Sequence, residues 1–418
     1  MYSASAKPHL IIIGNGMAGT RLLEEMLADE GHNYRISIFG AEPQLAYNRI
    51  LLSPVLAGEM PRTDIQLHNK DWYRQHRIHL YTDDPVIHVD TENGYISSAS
   101  GVRLAYDKLV FATGASSFIP EPLQHIQHEN IHQFRTLNDV TQILNSSRNA
   151  HRAVVLGGGL LGLEAAHGLQ KAGLQTDVVH RGQYLMNRQL DMPAATLLEN
   201  TLINRGISVH TGCEPENITV NTDKAISLRL NNGRQLQTDM LVIAAGIRPN
   251  TQLANSSGLH CQQGIRINDR LQTSVDNIYA LGECCQLGDH TFGLVAPIWE
   301  QANVLAAQLK GRYQQRYQPR PSATQLKVAG IDLFSAGNIS DQLPATDTLV
   351  LKDPGKDTYK KLFFTRNGLS GAILYGDVAD GQWYFNLINN RQDISQLKPD
   401  LIFGQPFCSP GPARPAAG

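Results

Sequence analysis

Gly14-Asn15-Gly16-Met17-Ala18-Gly19 follows the apolar run His9-Leu10-Ile11-Ile12-Ile13 and opens a helix-like stretch. The pattern returns as Gly157-Gly158-Gly159-Leu160-Leu161-Gly162, after Ala153-Val154-Val155-Leu156. In a strand–turn–helix setting the first glycine permits the tight bend and the second lets backbone N–H groups approach a pyrophosphate. The third lets the helix pack closely on the strand, and the helix then aims its positive end and free N–H groups at the anion. One such turn arises by chance in glycine-rich chains and then binds nothing. Two in the same context predict two dinucleotides held at once, FAD and a nicotinamide, and so electron transfer. Gly14, Gly16 and Gly19 are the candidate FAD contacts, and Gly157, Gly159 and Gly162 the candidate NADH or NADPH contacts.

The bulk properties narrow the setting. A chain of 418 residues holds about two to four domains at ~150 residues each. Its 42% hydrophobic and 18% charged content is that of an ordinary globular protein. A net charge of −2 without any Lys/Arg-rich block gives no case for nucleic acid. No apolar run approaches the roughly 18 residues of a membrane span, and the first strand begins too early for a signal peptide to precede it. Five scattered cysteines, Cys213, Cys261, Cys284, Cys285 and Cys408, form no disulfide framework. A cytoplasmic location is expected.

Working outward from the first turn, a helix over about 17–29 and a strand Tyr34–Phe39 complete a βαβ unit. Glu42 follows, either accepting from the adenosine ribose hydroxyls or standing as a solvated loop carboxylate. In Tyr47-Asn48-Arg49-Ile50-Leu51-Leu52-Ser53, the planar fork of Arg49 suits a phosphate or the flavin edge, or is a surface arginine. Tyr106–Gly114 reads as a strand ending in Ala112-Thr113-Gly114, echoed by Asp239–Gly246, which ends in Ala244-Ala245-Gly246. Each closes a dinucleotide-binding unit, which places Thr113 and Gly114 by FAD and Gly246 by NAD(P)H. The strand Asn277–Glu283 and a helix entered from Gly293-Leu294-Val295-Ala296-Pro297 stand in the right order to close the first nucleotide domain after the second has been inserted. The helix start near 296–299 can face the flavin pyrimidine, with Trp299 beside it or serving as a core anchor.

The expected fold is α/β, with two Rossmann-like dinucleotide-binding domains, the NAD domain inserted in the FAD domain, and an α+β C-terminal interface domain. Residues 406–418, rich in Pro, Gly and Ala, are expected to form a disordered tail. His76-Arg77-Ile78-His79 has helical spacing, and a surface helix is expected there rather than a metal site.

Taken in order, GxGxxG, Glu42, Tyr47-Asn48-Arg49, ATG, GGGLLGLE, AAGIRPN, GEC and GLVAP resemble the two-dinucleotide-fold pyridine nucleotide:flavin oxidoreductases over about residues 8–400. The narrower likeness, carried also by Leu185-Met186-Asn187-Arg188-Gln189-Leu190-Asp191, is to the FAD/NAD(P)H portion of assimilatory nitrite and nitrate reductases. The resemblance implies an FAD domain over residues 1–120 and 248–320 with Gly282 and Glu283 among its contacts, an NAD(P)H domain over 121–247 and an interface domain over 321–405, with hydride transfer from nicotinamide to flavin and single-electron release to an acceptor. It implies that Glu164 lies near the nicotinamide as a positioning residue, unless it is simply a helix-terminal acid. Three departures stand out. Pro54 replaces a lysine that related ferredoxin reductases pair with that glutamate. Glu283 replaces the usual aspartate that holds the ribityl chain, a change shared by the nitrite-reductase branch. His180-Arg181 stands where an acid would select NADH, so Arg181 either accepts the 2′-phosphate of NADPH or is solvated.

Absences discriminate as strongly. Residues 43–60 contain no cysteine, which excludes the dithiol chemistry of disulfide reductases. Adjacent Cys284-Cys285 reads as two packed thiols, since neighbours form only strained disulfides. No cysteine spacing fits an iron–sulfur cluster and no metal site is expected, so the acceptor is expected on another protein. The leading candidate partner is an assimilatory nitrate or nitrite reductase. An iron–sulfur carrier such as rubredoxin, served by a rubredoxin or ferredoxin reductase, is the alternative; a non-catalytic FAD/NAD(P)H redox sensor is the alternative of another class.

Overall fold

Five parallel strands carry the first glycine turn at their C-terminal edge. Across the sheet they run Ile278–Ala280, Lys108–Phe111, His9–Ile13, Arg35–Phe39 and Ile78–Tyr81. The computed structural model describes residues 7–29, 32–221, 225–328, 330–339, 347–366 and 368–408. His9–Ile13 is buried along its whole length, as an apolar run at the centre of a sheet covered on both faces must be. The helix Met17–Leu27 buries Gly19, Thr20, Leu22, Leu23 and Met26, spacings that fall on one helical face, and Gly19 comes up against Ile12 of the sheet. Complete burial of Leu22, Leu23 and Met26 stabilises the contact by about 1.5–3 kcal/mol each.

A second parallel sheet repeats the plan in the order Ile207–Thr211, Gln175–His180, Arg152–Leu156, Met240–Ile243 and Ile131–Gln133. In both sheets the strand that feeds the turn lies between the strand after its helix and the strand running into Ala-Thr-Gly or Ala-Ala-Gly. Three-stranded antiparallel ribbons, spanning Val86–Asp90 to Arg103–Ala105 and Pro215–Val220 to Gln235–Thr238, precede those last strands. Strand order reverses at the turn-bearing strand, which opens a crevice beyond the strand ends. The α/β, twice Rossmann-like fold expected from the two turns is the one observed.

The chain divides into two compact units. One comprises Met1–Phe118, Arg135–Val140 and Gly246–Pro319, the other Ile119–Phe134, Thr141–Ala245 and Arg320–Gly418. The second unit includes a five-stranded antiparallel sheet ordered Ala323–Val328, Ile331–Gly337, Gly368–Tyr375, Thr358–Thr365 and Asp347–Asp353. The helix Gly381–Asn390 covers it through Tyr384, Leu387 and Ile388. Thr358–Thr365 is buried on both faces, Lys360 and Lys361 included. Lys360 Nζ lies 3.0 and 3.2 Å from Asp377 and Asp380, and Lys361 Nζ lies 3.3 Å from Asp191. An unpaired ammonium there would cost several kcal/mol, on the order of the desolvation penalty per ion.

Two expectations are corrected. His76 to His79 is not a surface helix: the helix Lys70–Gln75 ends at His76, Arg77 turns at φ 55°, and Ile78–Tyr81 is a parallel strand. Pairing of Ile78 with Ile36 and burial of Ile78 outweigh the helical spacing. Residues 406–408, expected in a disordered tail, belong to the short helix Gln405–Cys408, anchored where Gln405 N–H donates to Asp380 Oδ1 (3.1 Å). The rest of that tail, 409–418, lies outside the described residues. Among the described residues no helix is long and apolar enough to cross a membrane, and no three metal-ligating side chains gather.

Candidate functional site

Gly14 has φ +123°, and a Cβ on it would overlap the Ala112 carbonyl oxygen; a Cβ on Gly19 would overlap the carbonyl oxygen of Gly14. These two glycines are demanded by the chain's own packing. Gly16 is not. Its backbone is ordinary and extended (φ −99°, ψ −168°), and a Cβ there would meet nothing within 4 Å. The second turn repeats each point: Gly157 at φ +130° faces Ala244, Gly162 faces Gly157, and Gly159, at φ −88° and ψ −178°, faces open space.

The helices that follow, Met17–Leu27 and Leu160–Lys171, have no side-chain cap and no acid in the first turn. Elsewhere the chain does cap: Asn69 accepts from Trp72 N–H (2.9 Å) and Asp191 from Ala194 N–H (3.2 Å). Two positive helix ends therefore face cradles that only a side-chain-free middle glycine keeps open, an arrangement that fits a dinucleotide pyrophosphate at each.

Beside the first turn, the sequence candidates gather into one charged network. Glu42 accepts from the Tyr47 hydroxyl (2.7 Å) and pairs with Arg49. Arg49 packs over the Tyr47 ring and donates to the Arg135 carbonyl (3.0 Å). Arg135 pairs with Glu283 and donates to the Ala115 carbonyl (3.3 Å). The Tyr47 oxygen also accepts from Leu137 N–H (3.0 Å), and burial pushes its phenol well above the ordinary range. Thr113 is clamped by Asn250: its hydroxyl donates to the Asn250 carbonyl (2.9 Å), while Asn250 Nδ2 donates to the Thr113 carbonyl (2.8 Å). Gly114 follows at φ +66°. Gly282 N–H donates to Gln301 Oε1 (2.8 Å), which joins the strand end before Glu283 to the helix Val295–Leu309. That helix also starts without a side-chain cap. Trp299 in its second turn is half-buried with the Arg21 guanidinium 5.7 Å from its ring, so it lies against the first helix and outside the network.

The candidates at the second turn are arranged differently. Glu164 is the fifth residue of Leu160–Lys171 and half-buried, one turn beyond the helix end where the dipole acts. His180 ends the strand Gln175–His180, and its ring is folded against the turn, where Nδ1 accepts from Gly158 N–H (3.2 Å). Burial lowers its pKa. Arg181 is exposed. Gly246, at φ +120°, begins the return into the other unit, its carbonyl accepting from Phe118 N–H (2.8 Å).

Reading by motif missed Arg135, Tyr47, Asn250 and Gln301. Tyr47 and Asn250 sit inside quoted motifs, so their signal was available. Arg135 sits in none, and the fold alone brings it to Glu283, 148 positions away.

Residues 8–311 match the family model described as pyridine nucleotide-disulphide oxidoreductase, and residues 321–392 the one described as the rubredoxin NAD+ reductase C-terminal domain. The chain is 41% identical over 390 residues to an NAD(P)H nitrite reductase of Bacillus subtilis, covering 93% of this chain and 48% of that protein. It is 41% identical over 396 residues to the assimilatory nitrate reductase electron transfer subunit of the same organism, covering 95% and 51%. The chain thus spans about half the length of the curated relatives it matches. NADH:rubredoxin oxidoreductase from Clostridium acetobutylicum has the same fold, with a TM-score of 0.77 at 24% identity over 94% of this chain and 99% of that one.

Proposed function

This chain belongs to the pyridine nucleotide-disulphide oxidoreductase family, and from that premise we propose that it is an electron-transfer flavoprotein for nitrate or nitrite assimilation. It is an NAD(P)H-dependent oxidoreductase that uses FAD. The acceptor in this reading is an assimilatory nitrate or nitrite reductase. The observation that carries it is the pair of cradles in one chain, each kept open by a middle glycine that nothing in the protein itself requires.

On this reading residues 1–120 and 248–320 form the FAD domain, 121–247 the NAD(P)H domain and 321–405 an interface domain. Gly14, Gly16 and Gly19 hold the FAD pyrophosphate. Glu42, Arg49, Thr113, Gly114, Gly282 and Glu283 surround the rest of the flavin nucleotide, with Trp299 at its margin. Gly157, Gly159 and Gly162 hold the second pyrophosphate, Glu164 positions the nicotinamide, and His180, Arg181 and Gly246 border that site. Bound there, FAD would supply a hydride acceptor for the nicotinamide and a donor of single electrons. Arg135 fixes the Glu283 carboxylate, and the uncapped start of Val295–Leu309 offers a positive end for negative charge.

Dithiol relay is not part of this scheme. Residues 43–60 hold no cysteine, and Cys284 and Cys285 are fully buried, with burial pushing both thiols up. A cytoplasmic site of action goes with free, buried thiols. The match of residues 321–392 to a rubredoxin NAD+ reductase domain favours a second reading, a reductase of rubredoxin or a ferredoxin.

Anaerobic addition of NADH or NADPH to the purified protein is expected to bleach the flavin absorbance, and addition of the nitrate or nitrite reductase to restore it. Rapid rubredoxin reduction with no transfer to those enzymes would replace the leading reading with the second. A flavin that never bleaches would leave a redox sensor.

A further inference from the structure

Resting on the reading that the second turn holds a pyridine nucleotide, we propose that this site selects NADPH over NADH, with Arg181 as the side chain that meets the 2′-phosphate. The strand Gln175–His180 lies directly beside the turn: Leu156 is in register with Val179, and Gly157 N–H donates to the Val179 carbonyl (2.8 Å). The adenosine ribose of a nucleotide laid over a turn of this kind reaches the end of that neighbouring strand. A carboxylate there accepts from a free 2′-hydroxyl and repels a 2′-phosphate; a guanidinium does the reverse, with a planar fork matched to phosphate oxygens.

Every carboxylate in reach along the strand and its loop is committed elsewhere. Between residues 175 and 190 the only acid is Asp177, which sits 2.7 Å from His210 Nε2. The next, Asp191, is buried, caps the helix Met192–Asn204, accepts from the Tyr359 hydroxyl (2.6 Å) and pairs with Lys361.

His180, the residue at the strand end itself, has its ring packed under the turn. Its ring stands where a Cβ on Gly158 would press on it, Nδ1 accepts from the Gly158 N–H, and Nε2 is buried. Arg181 is left. It is exposed and has no hydrogen-bond or ion-pair partner among the described residues, and Arg188 in the same loop is likewise exposed and unpaired. A loop with two uncommitted guanidiniums and no uncommitted carboxylate favours the nucleotide that carries the extra dianion.

The test is calorimetric titration of the intact protein with 2′,5′-ADP and with ADP, which carry the same adenosine and differ in the 2′-phosphate. We expect 2′,5′-ADP to bind at least about tenfold more tightly, the gap to narrow as salt rises, and Arg181→Ala to remove most of it while moving ADP affinity less than about twofold. Arg181→Lys should retain part of the gap, since it keeps the charge and loses the fork. ADP binding as tightly as 2′,5′-ADP, or an unchanged gap in Arg181→Ala, would overturn the assignment and leave the nicotinamide site standing. Binding of neither ligand would remove the nicotinamide reading and this inference together.

Discussion

At the first turn the residue between the leading glycines is Asn15, whose Oδ1 accepts from the Tyr73 hydroxyl (3.1 Å). At the second it is Gly158, and a Cβ there would press on the His180 ring and on Leu185. One turn is braced from outside by a polar side chain of its own; the other is braced by a histidine that needs a bare backbone to lean on. Their first and third glycines, in contrast, are interchangeable in role, because both answer to the same strand–helix closeness. The difference separates the glycines that packing requires from those it does not. Packing sets the outer glycines, while the middle ones have open space beside them, which the proposed function fills with a nucleotide.

The sharpest way to break this comparison is to fill the outer positions. Gly19→Ala and Gly162→Ala each drive a Cβ into a backbone carbonyl that cannot rotate away. Each is expected to destabilise the fold by about 3 kcal/mol or more, read by denaturant titration. A cost below about 1 kcal/mol at either position would mean that the packing account of the motif is wrong.

Filling the middle positions should separate the two sites. Gly16→Val and Gly159→Val place a Cβ in open space on an extended backbone, so stability compared between flavin-free proteins should move by less than about 1 kcal/mol. Gly16→Val should purify without flavin absorbance. Gly159→Val should stay yellow and lose binding of both ADP and 2′,5′-ADP. A yellow Gly16→Val protein would remove FAD from the first turn.

The smallest effect is a pH dependence shared by both units. His9 in the first and His180 in the second have pKa values lowered from 6.5, burial being the largest cause in each. The unfolded chain therefore takes up protons on these rings as pH falls below 6.5 while the folded chain resists. Their contribution to stability is complete above pH 6.5 and is lost as pH drops from there toward the folded pKa values. The loss is modest, since a tenfold change in the proton affinity of one ring is worth only about 1.4 kcal/mol. Thermal unfolding from pH 7.5 to 5 should show it, and His180→Asn should flatten the second unit's share. An unchanged slope in that variant would mean that His180 is not held neutral by the turn.

Much of this was legible from local pattern. The apolar runs His9–Ile13 and Ala153–Leu156, each followed by a glycine turn and an amphipathic stretch, specify parallel strands and their crossover helices because period and spacing are local properties. Glu42, Arg49 and Glu283 were identifiable as a set, yet not as a network, because the residue that links them is Arg135, which carries no motif. His76–His79 misled for a related reason: helical spacing was present, but a positive φ at Arg77 and a vacant sheet edge beside Arg35–Phe39 made Ile78 a strand residue. His180 and Arg181 looked like an equivalent pair in sequence. Only the folded chain turns one ring under the turn and leaves the other side chain exposed.

Local pattern was enough to specify two Rossmann-like folds in one chain, since each turn is a local device whose glycines sit at fixed offsets from a strand and a helix. The sequence showed as well that residues 43–60, after the first βαβ unit, hold no cysteine. Only the folded chain shows which glycines have open space beside them, which carboxylates are already paired, and which arginine stays exposed. Those are questions of what lies across a few ångströms of space from residues more than a hundred positions away, as Arg135 is from Glu283, and spacing along the chain carries no record of them.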